Sequence, residues 1–333
     1  MTHGDAKSAA AWVRADQAAL LTRVLDRSCL RLVTAGGEGG REVARLRDAK
    51  PSDDLRAMLA STDAGVAIIG DPAGFADGTN TKDFRTIVEA AQRGLTIISL
   101  EPIPPLSLHL SDPAWRDASD VARERIAFSP LARRGAAFRR AQDVLDSFGP
   151  IEAVSIVSLG RLSEGSLGSR LTGACDLLLA LLGEPISVDA AHTPGPDDPA
   201  TPETLRGLHG HLAATFRFDE GHAASLFASD RAAAWSRTIT LLGPGGRIVA
   251  DDRRVEWYDA AGLHVETMNA GIEADADLAA AVIADDISAM LGDAPRTAPV
   301  DLAGVLSAAH AALLSARTGH AEMPSALRRI GGS

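Results

Sequence analysis

A carboxylate, Glu101, closes the apolar run "LTIISL" (95–100), and prolines stand at 102, 104 and 105. A side chain at the carboxyl end of a buried strand faces the crevice where open α/β sheets bind their ligands. Glu101 can therefore act as a general base, or it can cap a helix or pair with an arginine. Pro102 beside it brings neither a titratable group nor a backbone N–H. The second group with chemical potential is the glycine cluster "GGEGG" at 36–40. Gly36, Gly37 and Gly39 can let backbone N–H groups approach a phosphate, or they form a flexible turn.

Other constellations are weaker. His209 and His211 are two apart, so on a strand they face one way and can hold a metal with a third ligand such as His222. No acid-rich partner stands near them in the chain, and no metal is expected. Arg133, Arg134, Arg139 and Arg140 form a basic cluster on or near one helix, able to meet an anionic sugar or to make a solvated face. The serines of "EGSLGS" (164–169) have no histidine nearby and are no nucleophile motif. Cys29 and Cys175 sit in apolar contexts without metal or redox spacing. Trp235 and Trp257 are expected to pack on a sheet or at a subunit interface.

The elements that position these groups form two sets. In the first half, "GVAIIG" (65–70) and "LTIISL" (95–100) are continuous apolar runs, as in strands covered on both faces. A helix near 82–93 joins them, and strand–helix–strand implies a parallel pair with a right-handed crossover. Upstream, 12–27 has helical spacing at Leu20, Leu21, Val24 and Leu25; Leu30–Val33 is a short strand; 41–49 and 52–61 are short helices, the second capped by Ser52. Helical stretches follow near 116–125 and 134–148. Beyond Gly149 the segments 151–159, 186–192, 211–218, 222–228, 236–242, 246–250 and 254–258 are short and partly alternating, with turns at 243–246 and 259–262. They predict an open, mostly antiparallel sheet, interrupted by a helix over 171–183 and followed by helices near 275–291 and 301–318.

Composition narrows the function. The chain has 333 residues, enough for two domains, with 46% hydrophobic and 23% charged content. A net charge of −11 disfavours nucleic acid as a partner. No apolar run approaches the ~20 residues that span a bilayer, and the first residues lack a secretory pattern. The expectation is a cytoplasmic protein with reduced thiols.

The blocks "AGVAIIGDP", "IVEAAQRGLTIISLEP", "FGPIEAVSIV", "CDLLLALLGEPISVDA", "WSRTITLLGPGGRIVADD" and "AALLSARTGHAEMP" resemble, in this order, the glucose–fructose oxidoreductase/inositol dehydrogenase (Gfo/Idh/MocA) family. The resemblance runs from about residue 16 to 325. It implies an α/β protein: a Rossmann-like, doubly wound domain over 1–128, then an α/β domain over 129–333 whose last helices pack back toward the first. It further implies NAD(P) as cofactor, a sugar-like small molecule as partner, and a homo-oligomer built through the open sheet. Asp71 and Pro72, closing "AGVAIIGDP", join the three glycines as cofactor contacts.

The family's chemical apparatus is incomplete here. Pro102 takes the place of the lysine in the family's Glu-Lys-Pro. On the helix the family's Asp-x-x-x-His and later Asp fall at Ser169, Gly173 and Asp176, so only Asp176 remains, either as a substrate contact or as a structural residue. The glycine loop also has no good match. If Leu30–Val33 is the first strand, "GGEGG" is the loop, but too little chain remains before "GVAIIG". If it is the second strand, the spacing fits, and the first strand with its loop is missing. Spacing favours the second register. The resulting expectation is a degenerate member with weak or no NAD(P)-dependent activity, acting as a ligand-binding or assembly subunit. The alternative is an active oxidoreductase on a sugar or cyclitol that uses Glu101 or Asp176.

Overall fold

A computed structural model describes residues 6–71, 81–195, 200–273, 277–292 and 299–331. Two compact units divide the chain: Met1–Ser129 with Ala279–Ala294, and Pro130–Leu278 with Pro295–Ser333. Among the described residues no helix is long and apolar enough to cross a membrane.

Unit 1 is built on strands β1 (Lys7–Trp12), β2 (Leu30–Gly36), β3 (Lys50–Ser52), β4 (Val66–Ile69), β5 (Thr96–Ser99) and β6 (Ile126–Phe128). They form one sheet in the order β3-β2-β1-β4-β5-β6, parallel throughout. The chain winds outward in both directions from β1 and β4, which makes their carboxyl ends the switch point of a doubly wound sheet. The connecting helices are α1 (Ala18–Arg27), α2 (Gly40–Leu46), α3 (Leu55–Ser61), α4 (Thr81–Gln92), α5 (Pro113–Arg116) and α6 (Asp120–Glu124).

The strand expected to be missing is present, and it is the middle one. β1 reads "KSAAAW", and Ala9, Ala10 and Ala11 are fully buried. Alanine carries little strand preference of its own, so neither pattern nor composition marks this segment; its place between β2 and β4 does. Leu30–Val33 accordingly belongs to the second strand. The helical spacing over 12–27 belongs to α1 only from Ala18, with Leu20, Leu21, Val24 and Leu25 as its buried face. Trp12 ends β1, and the five residues between form the turn. α3 is capped by Asp54, whose carboxylate accepts the Ala57 N–H at 2.8 Å, and not by Ser52.

Unit 2 opens with α7 (Ala136–Arg140) and α8 (Gln142–Phe148). Its sheet contains β7 (Ala153–Arg161), β8 (Ser187–Thr193), β9 (His211–Arg217), β10 (Ala223–Ser229), β11 (Arg231–Gly243), β12 (Gly246–Asp251), β13 (Arg254–Tyr258) and β14 (His264–Asn269). The order is β14-β13-β12-β11-β7-β10-β9-β8, antiparallel except for the β7–β10 pair. Sequence pattern finds seven of these strands and misses β14, whose "HVETMN" is exposed along nearly its whole length and so carries no alternation. Strand β9 alternates strictly between buried and exposed residues, and β10 does so as far as Ala228, the signature of a sheet with one covered face. α9 (Leu167–Leu182) packs on β7 and β10, and α11 (Leu302–Thr318) packs on β8, on α9 and on α12 (Pro324–Gly331). α10 (Leu278–Leu291) lies almost wholly in unit 1, where the Lys7 ammonium donates to the Leu291 carbonyl at 2.7 Å.

Candidate functional site

In unit 1 the carboxyl ends of β1, β2, β4 and β5 bring together Trp12, Gly36, Gly70 and Glu101 with the β1–α1 turn, "VRADQ" (13–17). In a dinucleotide-binding sheet this turn is glycine-rich, so that backbone N–H groups and the following helix end can meet a pyrophosphate. Here it contains no glycine.

Its polar groups are turned inward. Gln17 is 1% exposed. Its Oε1 accepts the Arg14 N–H at 3.1 Å, and its Nε2 donates to the Gly70 carbonyl at 3.1 Å. The Gly70 N–H in turn donates to the Trp12 carbonyl at 2.8 Å. Arg14 Nε donates to Asp16 Oδ1 at 3.0 Å. Burial works against the charge on Arg14, but Asp16, and beyond it Asp71 and Glu101, outweigh burial and hold its pKa above the ordinary value. Arg14 is thus paired with Asp16 and held within the electrostatic reach of Asp71 and Glu101.

The predicted glycines lie at the end of β2 and in the turn before α2, beside the central strand and not on it. They serve close packing. A Cβ at Gly36 would lie under 3.0 Å from the Trp12 ring, and a Cβ at Gly37 or Gly39 would lie that close to the carbonyl oxygens of Val13 and Arg14. Gly37 also has φ +83°, a conformation that favours glycine. The space a phosphate cradle needs is filled by the chain's own turn. A β1–α1 turn without glycine and a packed glycine cluster after β2 thus offer no glycine cradle for a pyrophosphate among these residues. Asp71 follows Gly70, half-buried, while Pro72 lies outside the described residues. Glu101 is 4% exposed, and its backbone N–H donates to Ser99 Oγ at 3.2 Å.

In unit 2, Ser169, Gly173 and Asp176 all lie on α9, whose first turn is capped by Ser166 Oγ accepting the Ser169 N–H at 3.0 Å. Asp176 Oδ2 accepts from Arg133 Nε at 2.7 Å, both side chains less than a tenth exposed. Arg133 thus leaves the solvated face expected of its cluster and becomes the countercharge of Asp176. Trp235 donates Nε1–H to Asp252 Oδ2 at 2.8 Å, and its ring meets the guanidinium groups of Arg170 (4.8 Å) and Arg237 (5.7 Å). It packs on the sheet, as does Trp257, whose Nε1–H donates to the Gly245 carbonyl at 2.9 Å.

His209 precedes β9, so the alternation that would align it with His211 does not apply. Its Nδ1 lies 2.8 Å from Asp230 Oδ2. His211 stacks on Phe227, ring centroids 6.4 Å apart. Among the described residues no group of three His, Cys, Asp or Glu side chains is placed to hold a metal. Asp230 is a buried residue that sequence reasoning missed. It also accepts N–H groups from Gly210 at 2.9 Å and from Leu167 at 3.2 Å, the latter at the start of α9. The only signal for it was a lone acid in the turn between β10 and β11.

No protein-family model matches the sequence, and no curated protein matches it. Solved structures do match in fold. A myo-inositol dehydrogenase from Corynebacterium glutamicum aligns over 95% of this chain and 98% of its own, with 17% identity and a TM-score of 0.64. A levoglucosan dehydrogenase, in complex with NADH and levoglucosan, aligns over 95% and 99%, with 16% identity and a TM-score of 0.67. The chain has the fold of these dehydrogenases. An oxidoreductase from Agrobacterium radiobacter, in complex with NAD+, L-tartaric acid and magnesium, aligns over 97% and 99%, with 13% identity and a TM-score of 0.67. The resemblance to inositol dehydrogenases drawn from six sequence blocks is thus upheld as a likeness of architecture along nearly the whole chain.

Proposed function

We propose that this chain is a non-catalytic protein on the sugar-dehydrogenase fold, an assembly subunit that binds a sugar-like small molecule. The observation that carries this reading is the state of the proton-transfer positions. Pro102 follows Glu101, Gly173 stands where the family has histidine, and Asp176 is tied to Arg133 at 2.7 Å. A carboxylate held in a buried ion pair is a poor base, because taking up a proton would break the pair. Loss of a positioned acid or base costs about 10²–10⁴-fold in rate.

The assembly role is supported by the open face of the unit 2 sheet. His211, Ala213, Thr215, Ser225 and Phe227 are exposed there, and Phe227 is 45% exposed. An open sheet face of small residues around an aromatic suits a second copy of the chain. A cytoplasmic protein fits the same reading.

Two measurements test it. Incubation with NAD+ or NADP+ and a panel of cyclitols and aldoses should give no nicotinamide reduction above the protein-free rate. Light scattering should show a dimer or larger species. Turnover of any member of the panel would instead favour the active-enzyme reading, for which the buried Glu101 at the end of β5 is the best base.

A further inference from the structure

We infer that the crevice of unit 1 is shut by its own side chains and takes no dinucleotide: Gln17 lies over Gly70 where a pyrophosphate would cross, and Trp12 lies over Gly36 where a ribose would rest. This deepens the proposed function without repeating it, since a chain that had lost only its proton-transfer groups would still bind NADH.

Three features act together. The first is the Gln17 carboxamide, fully buried and bonded at both ends, to the Arg14 N–H and to the Gly70 carbonyl, each at 3.1 Å. The Arg14 N–H, a donor of the kind that meets a phosphate at such a turn, is thereby satisfied. A Cβ at Gly70 would lie under 3.0 Å from the Gln17 side chain, so the amide rests directly on that glycine. Displacing it would take from the buried Gly70 carbonyl the donor it has in Gln17. The second is the indole of Trp12, which contacts the Gly36 backbone at the end of β2, the strand end that carries a ribose-binding acid in dinucleotide sites. The third is charge. Asp16, Asp71 and Glu101 all act on Arg14, and a dianionic pyrophosphate brought there would be repelled by these three carboxylates.

The test uses the full-length protein. NADH and NADPH are titrated by calorimetry and by thermal melting to millimolar concentration. The expected result is no binding heat and no shift in Tm; saturable binding with a Kd below about 1 mM overturns the inference. The closure itself is read from Gln17→Ala, Gly70→Ala and the double variant. Each single change should lower Tm by several degrees. The double should lower it by clearly less than the sum, because removing the carboxamide makes room for the new methyl. Simple additivity would show that Gln17 does not rest on Gly70. If Gly70→Ala does not accumulate, the wild-type titration still decides. NADH bound without turnover would overturn this inference and leave the proposed function standing; NADH bound with turnover would overturn both.

Discussion

Arg133 and Asp176 form a buried ion pair at 2.7 Å, joining the segment before α7 to the middle of α9. Removing one member of such a pair is far more costly than replacing both, because the remaining charge stays buried without its counterpart. Asp176→Ala should destabilise the protein by about 3–5 kcal/mol. Arg133→Met combined with Asp176→Leu should recover most of that loss. Denaturant unfolding measures both, and equal losses in the single and double variants would show that the pair does not act as a unit.

Asp230 predicts how unit 2 responds to acid. Burial pushes its carboxyl upward, but the hydrogen bonds from His209, Gly210 and Leu167 outweigh burial and hold its pKa below the ordinary value. A lowered folded-state pKa gives stability that is complete above the unfolded value, about 3.9, and is lost as pH falls through the folded value. Asp230→Asn should therefore be less stable than wild type at pH 7, by roughly 1.5–3 kcal/mol for hydrogen bonds to a charged group. The gap should narrow below about pH 4. Unfolding curves at the two pH values decide it; a gap that stays constant would remove Asp230 as its source.

Phe227 is the probe of the open sheet face. It is 45% exposed and stacks on His211 within that face. Phe227→Asp should shift the oligomer to monomer in light scattering while leaving the circular dichroism spectrum and the Tm of the dilute protein nearly unchanged. A variant that keeps the wild-type mass would move the assembly surface elsewhere.

The two thiols should separate cleanly. Cys29 is exposed and Cys175 is buried, with burial and the neighbouring Asp176 pushing its thiol pKa strongly upward. Since the thiolate is the reactive form, a thiol reagent should label Cys29 in the native protein within minutes and Cys175 only on unfolding. Mass spectrometry of the labelled peptides reads this directly.

Much of the architecture was legible because burial leaves a pattern. The runs 65–70 and 95–100 announce strands covered on both faces, and the alternation in β9 and β10 announces a sheet with one open face. The alanine run of β1 announces nothing: alanine favours helices, and the helical spacing just downstream extends naturally over Trp12. Only its pairing with β2 and β4 makes it a strand. The site was harder for a related reason. Gln17 acquires its role from Gly70, 53 residues on, and His209 from Asp230, 21 residues on. Gly36, Gly37 and Gly39 look like a phosphate cradle in sequence, and their packing against Trp12, Val13 and Arg14 appears only once the first strand is in place.

Unit 1 is drawn from two stretches far apart in the chain: Met1–Ser129 together with Ala279–Ala294. During synthesis the ribosome delivers the six strands of that sheet well before it delivers α10, and the tie from Lys7 to Leu291 at 2.7 Å can close only after α10 has emerged. A nascent chain paused after β14 would carry a parallel sheet still short of one helix. A stop before α10 should therefore damage unit 1 as well as remove the later elements of unit 2.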